Sequence, residues 1–117
     1  VDSGKKQAAC IEDNIRFTKF DRQSRLYVSD VLGALRAMEG KYQFDLIFMD
    51  PPYHQGFEKQ SVGAIVEKGL LAEGGKIVVE SAADTEIGIP HGFRVLKTKI
   101  YRATKFTLLT REQGECE

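Results

Sequence analysis

Apolar residues recur at Ala8, Ile11 and Ile15 within the segment Gly4–Phe20. That three-and-four spacing marks one buried face of a helix, with Lys5, Lys6, Glu12, Asp13 and Arg16 mostly on the wet side. Leu26-Tyr27-Val28 predicts a short strand, and Asp30 is placed to cap a helix carrying Val31, Leu32, Leu35 and Met38. Gly40 stops that helix. Phe44–Met49 is a nearly continuous apolar run, the pattern of a strand buried on both faces. Pro51 and Pro52 end it, because neither can donate a ladder hydrogen bond. Phe57, Val62, Ile65, Val66 and Leu70 line one side of a further amphipathic helix. Gly74-Gly75 then turns the chain into the strand Lys76–Glu80. A polar loop with Gly88, Pro90 and Gly92 leads to Phe93–Ile100 and Thr104–Leu109, a terminal hairpin across Tyr101-Arg102-Ala103.

Strands alternating with helices predict a three-layer α/β sheet, mostly parallel, to which the hairpin adds an antiparallel edge. Doubly wound folds open on a strand that feeds the first helix, yet here only Val1-Asp2 precedes it. The chain is therefore expected to be a fragment, N-terminally truncated within a strand. Composition changes this picture little. At 117 residues there is room for one domain, and 17 basic against 17 acidic residues leave no global field toward nucleic acid or membrane. Hydrophobic residues at 42% exclude a disordered chain. The longest apolar run, Leu46–Met49, is far too short to span a bilayer. Cys10 and Cys116 lie at opposite ends, which suits a reduced cytoplasmic protein rather than a disulfide scaffold, and Cys10 is expected to pack on the first helix.

Asp50-Pro51-Pro52-Tyr53 falls where a buried strand ends, and in open α/β sheets ligands bind outside the carboxyl ends of strands. Two consecutive prolines make a stiff platform that offers carbonyl acceptors and no donors. An acidic acceptor beside rigid carbonyls and an aromatic ring suits a planar ring bearing an exocyclic amine. The Asp50 carboxylate and the Pro51 carbonyl could each take one N–H of that amine while Tyr53 stacks on the ring, worth ~1–3 kcal/mol per base. Holding both hydrogens aims the nitrogen lone pair at an electrophile. The plain alternative is a strand-ending turn with a packed tyrosine.

The tetrapeptide resembles the [Asn/Asp]-Pro-Pro-[aromatic] motif of S-adenosylmethionine-dependent amino-methyltransferases. The likeness extends from Val1 to Arg111, through Val1-Asp2, the lysine-rich helix ending Glu12-Asp13-Asn14-Ile15, the run Phe44–Tyr53, and Gly69-Leu70-Leu71-Ala72-Glu73-Gly74-Gly75 before Ile77-Val78-Val79-Glu80. These segments are similar to the RsmD type, whose members methylate N2 of a guanine in bacterial 16S ribosomal RNA. The resemblance implies a Rossmann-like class I methyltransferase fold, with residues 1–111 as its C-terminal part and 112–117 as an acidic tail. It implies S-adenosyl-L-methionine as cofactor. Asp2 would hold the ribose hydroxyls, Asp30 the adenine amine with the Val31 N–H beside it, and Asp50 would border the methyl group. It makes Asp50, Pro51, Pro52 and Tyr53 the catalytic residues, and ribosomal RNA or the small ribosomal subunit the partner. Asp2 and Asp30 each have a simpler role open to them, as a helix N-terminal acid and a plain cap. The family's glycine-rich cofactor loop has no counterpart here, so these 117 residues alone are expected to bind no cofactor. If they are the whole molecule, a homodimer would fill the gap in the sheet. The hairpin departs from the family's usual Tyr-Gly by reading Tyr101-Arg102.

From Arg94 to Arg111 there are six basic residues and no acidic one. Lys97, Lys99, Arg102 and Lys105 are accordingly read as RNA contacts, against the alternative that edge lysines only discourage aggregation. His54 and His91 have no ligand spacing with Asp50 or Glu58, so no metal is expected. Two other functions stay open: a non-catalytic RNA-binding or assembly module that keeps the fold, and an amino-methyltransferase acting on DNA adenine or a protein glutamine.

Overall fold

A computed structural model describes residues 1–50 and 57–112, the side chains of residues 57–59 excepted. The chain divides into two compact units, Val1–Met38 and Glu39–Glu117.

In the first unit, helix α1 spans Lys5–Phe17 and buries Ala8, with Ile11 and Ile15 half-buried as the spacing requires. Cys10 is exposed on this helix rather than packed. Lys19 leaves the helix end with a φ of 64°, and the Phe20 N–H closes back on the Ile15 carbonyl at 3.0 Å. The expected strand at Leu26–Val28 reduces to a single parallel bridge between Asp2 and Val28. Its two bonds run from the Asp2 N–H to the Tyr27 carbonyl and from the Ser29 N–H to the Asp2 carbonyl. Gly4 caps α1 two residues after Asp2, so the ladder has no length in which to grow. Helix α2 spans Val31–Met38, with Asp30 ahead of it and Ala34, Leu35 and Met38 buried.

The second unit is a four-stranded mixed sheet of order β1-β2-β4-β3, formed by β1 (Phe44–Met49), β2 (Leu71–Ala82), β3 (Phe93–Tyr101) and β4 (Thr104–Arg111). Strands β1 and β2 run parallel and are joined through α3 (Phe57–Glu67), while β4 is antiparallel to both β2 and β3. Val62 and Ile65 of α3 and Leu70 beyond it are buried, as are Ile77 and Val79 of β2 and Thr107 and Leu109 of β4. These β2 and β4 residues alternate with half-buried ones, so they line one face of the sheet, the face on which α3 packs against β2.

Two strand expectations need correction. Strand β1 is not buried on both faces: among the described residues it pairs with β2 alone, and Leu46 and Phe48 are 64% and 58% exposed. Its apolar run reflects an open face that α3 does not cover. Strand β2 begins earlier than Gly74-Gly75 implies, because Leu71 already pairs with Phe44. The register then jumps so that Leu46 meets Lys76, and the residues between bulge out. Gly74 takes a φ of 77° in that bulge. At Gly75 a Cβ would come within 2.8 Å of the Ala72 carbonyl oxygen and 3.0 Å of that of Phe44, so the close approach needs glycine.

Candidate active site

Asp50 follows the last ladder residue of β1 and is exposed. Three other strand ends lie at the same end of the sheet. Met49 pairs with Val79, Ala82 of β2 pairs with Thr104 of β4, and Tyr101 closes β3 against Thr104. The Ala83 N–H donates to the Ala103 carbonyl at 2.8 Å and ties the end of β2 to the hairpin turn. Arg102 in that turn has a φ of 55°, the left-handed conformation that glycine adopts without strain. Asp50 and the hairpin tip therefore share the ligand-binding end of the sheet. Pro51, Pro52, Tyr53 and His54 lie outside the described residues, as does the side chain of Glu58.

Glu80 closes the run Ile77-Val78-Val79-Glu80. It is half-buried on β2, pairs with Phe106 of β4, and points to the face opposite Ile77, Val79 and Ser81. Its signal in the sequence is an acid within an alternating apolar strand, two residues from the strand's end.

The first unit holds the other two acids. Asp2 is half-buried, and its Oδ1 accepts the Gly4 N–H at 2.8 Å just ahead of α1. Asp30 is exposed and caps α2: its Oδ1 accepts the Gly33 N–H at 3.2 Å and its carbonyl accepts the Ala34 N–H at 3.1 Å. Both plain roles are thus real, and each leaves one carboxyl oxygen without a donor among the described residues. The Val31 N–H opens the helix and has no intrahelical acceptor. A cofactor with ribose hydroxyls and an adenine amine fits these free acceptors and this free donor.

The four hairpin cations have separate settings. Lys97, Lys99 and Arg102 are exposed. Lys97 and Lys99 border a shallow groove on the open face with Tyr101, Val78, Phe106 and Leu108. The Lys99 Nζ lies 5.9 Å from the centre of the Tyr101 ring, within cation–π range. Tyr101 meets Phe106 edge-on at 6.1 Å, and Phe106 meets Phe48 at 6.5 Å. Lys105 is half-buried, and its ammonium donates to the Thr85 carbonyl. It clamps the loop after β2 to the hairpin. Among the described residues no three His, Cys, Asp or Glu side chains gather into a metal-holding group. No helix among them is long and apolar enough to cross a membrane.

A family model described as conserved hypothetical protein 95 matches residues 1–110. The chain belongs to this family. It is the RsmD family that the motif run resembles, and two curated relatives are named ribosomal RNA small subunit methyltransferase D. The ribosomal RNA small subunit methyltransferase D of Haemophilus influenzae is 27% identical over 77 residues, 66% of this chain and 40% of the relative. A conserved hypothetical protein of Streptococcus pyogenes superposes with a TM-score of 0.84 at 28% identity, over 98% of this chain and 71% of that one. A Haemophilus influenzae protein assigned provisionally as a methylase superposes with a TM-score of 0.82 at 23% identity, over 95% of this chain and 70% of its own. The fold is accordingly Rossmann-like, of the methyltransferase kind. The matched stretch spans 28% to 40% of the length of the curated relatives.

Proposed function

We propose that the protein is an S-adenosylmethionine-dependent RNA methyltransferase of the cytoplasm, acting on the exocyclic N2 amine of a guanine in 16S ribosomal RNA. The observation that carries this reading is the position of Asp50: an exposed acid just past β1, at the ligand-binding end of a sheet whose chain belongs to the RsmD family. When bound, the cofactor would supply a methyl carbon on a positively charged sulfur, and that sulfur would keep the electron pair of the S–C bond as a neutral thioether when nitrogen takes the methyl.

This chain's residues do the rest. Asp2, Asp30 and the Val31 N–H hold the cofactor's ribose and adenine. Asp50 and the Pro51 carbonyl each accept one N–H of the target amine, which fixes the nitrogen and turns its lone pair out of the ring. Tyr53 stacks on the base, which has been unstacked from its neighbours. Once the nitrogen carries a methyl group and a positive charge, Asp50 or water takes its surplus proton. Lys97, Lys99 and Arg102 meet phosphates, and Lys105 adds charge while it holds the loop at Thr85.

Mass-spectrometric nucleoside analysis of ribosomal RNA from a strain lacking the gene tests the reading. The expected result is loss of one N2-methylguanosine from 16S RNA, restored by the gene in trans. An unchanged nucleoside profile overturns it.

A further inference from the structure

The end of the sheet that presents Asp50 carries a second carboxyl group without a task in the mechanism above. In β2 the buried Ile77, Val79 and Ser81 alternate with Val78 and Glu80, so Glu80 stands on the other face, with its cross-strand partner Phe106. The parallel register runs Phe48 to Val78 and Met49 to Val79. One step further brings Asp50 abreast of Glu80, on strands ~4.8 Å apart. Alternation along β1 puts Asp50 on the side of Phe48, which is the side of Val78 and Glu80.

Glu80 is half-buried, and among the described residues no hydrogen-bond donor and no cation reaches it. A half-buried carboxylate still meets water, and a ligand's N–H can replace that water with a hydrogen bond to a charged group. Next to its N2 amine, guanine carries an N1–H. Adenine and cytosine, the other bases with an exocyclic amine, have an acceptor lone pair on the ring nitrogen beside it. An acid alongside Asp50 therefore attracts the guanine edge and repels the other two.

We propose that Glu80 accepts the N1–H of the target guanine while Asp50 holds the adjoining amine, which makes Glu80 the residue that selects guanine. This rests on the guanine reading above and adds to it the group that enforces the choice.

The test uses the full-length protein and two RNAs that differ only at the target position, one with guanine and one with 2-aminopurine. The analogue keeps the 2-amine, replaces the N1–H by an acceptor and lacks the 6-oxo group, so the change of the ratio in Glu80→Gln is what assigns the preference to Glu80. Wild type is expected to prefer guanine in kcat/KM by ~10- to 100-fold, the range for a hydrogen bond to an acid. Glu80→Gln offers a carboxamide N–H₂ to the analogue's N1. It should lower the guanine rate by about tenfold or more, raise or keep that of the analogue, and bring the ratio to about threefold or less. Equal use of both RNAs by wild type overturns the inference, and that measurement needs no variant to fold. A Glu80→Gln protein that loses both activities by one factor, or keeps the wild-type ratio, overturns it as well. If wild type methylates neither RNA, the guanine reading itself falls and this inference falls with it.

Discussion

Asp50 stands one residue beyond the β1 ladder, where its oxygens answer to no backbone partner among the described residues and remain open to a ligand. Its task in the proposed reaction is acceptance first and proton removal second, and substitutions separate the two. In the full-length enzyme Asp50→Ala should abolish transfer, while Asp50→Asn should keep part of it because one carbonyl acceptor survives. A hydrogen bond to a charged group is worth ~1.5–3 kcal/mol, so single-turnover rates with radiolabelled methyl donor should place the asparagine variant about 10- to 100-fold below wild type. Full activity in Asp50→Ala would remove Asp50 from the mechanism. Asp2 and Asp30 are different cases. Each is engaged by a backbone N–H, from Gly4 and Gly33, so their alanine variants should lose local stability as well as cofactor affinity.

At the scale of elements, the hairpin turn is where local preference and tertiary demand disagree. Arg102 has a φ of 55°, which costs a non-glycine residue ~1–2 kcal/mol. Arg102→Gly should relieve that strain and lose part of the gain to a more flexible unfolded chain, for a net stabilisation of ~0.5–1 kcal/mol. Thermal unfolding should show it as a rise of a few degrees, and Arg102→Val should move the midpoint down. Other elements were plain in the sequence. Ala8, Ile11 and Ile15 announce α1, Asp30 announces α2, and the apolar run gives β1 its bounds at Phe44 and Met49. The start of β2 was hidden, because Leu71–Gly75 has no alternation and joins the sheet only through Phe44, a residue far back in the chain. The strand at Leu26–Val28 looked real because propensity is local, whereas a ladder needs a partner of matching length. In the candidate site, the position of Asp50 was legible from the prolines after it. The clamp from Lys105 to Thr85 was not, since charge along a sequence does not tell whether a lysine ends in water or on a carbonyl.

At the scale of the whole molecule, 17 positive and 17 negative charges cancel, yet residues 94–111 carry six basic groups and no acid. Reversing Lys97 and Lys99 to Glu should weaken RNA binding across sequences and flatten its salt dependence. Two lost phosphate contacts reduce the slope of log K against log salt by about 1.4 for a single strand. Fluorescence anisotropy at a series of salt concentrations reads this, and an unchanged slope would return both lysines to edge protection. The topology also sets an order in time. Strands β3 and β4 meet across a tight turn, with Tyr101 already paired to Thr104, so their hairpin can close in ~1–10 μs. Strand β1 finds β2 only after the chain has passed through α3, a longer closure with a larger entropy cost. The sheet is thus expected to grow from the hairpin toward β1, which joins last and pairs with β2 alone among the described residues. Amide hydrogens of Ile47 to Met49 should then exchange with deuterium well before those of Thr107 and Leu109, so that Asp50, the residue proposed to meet the substrate, follows the strand most ready to open.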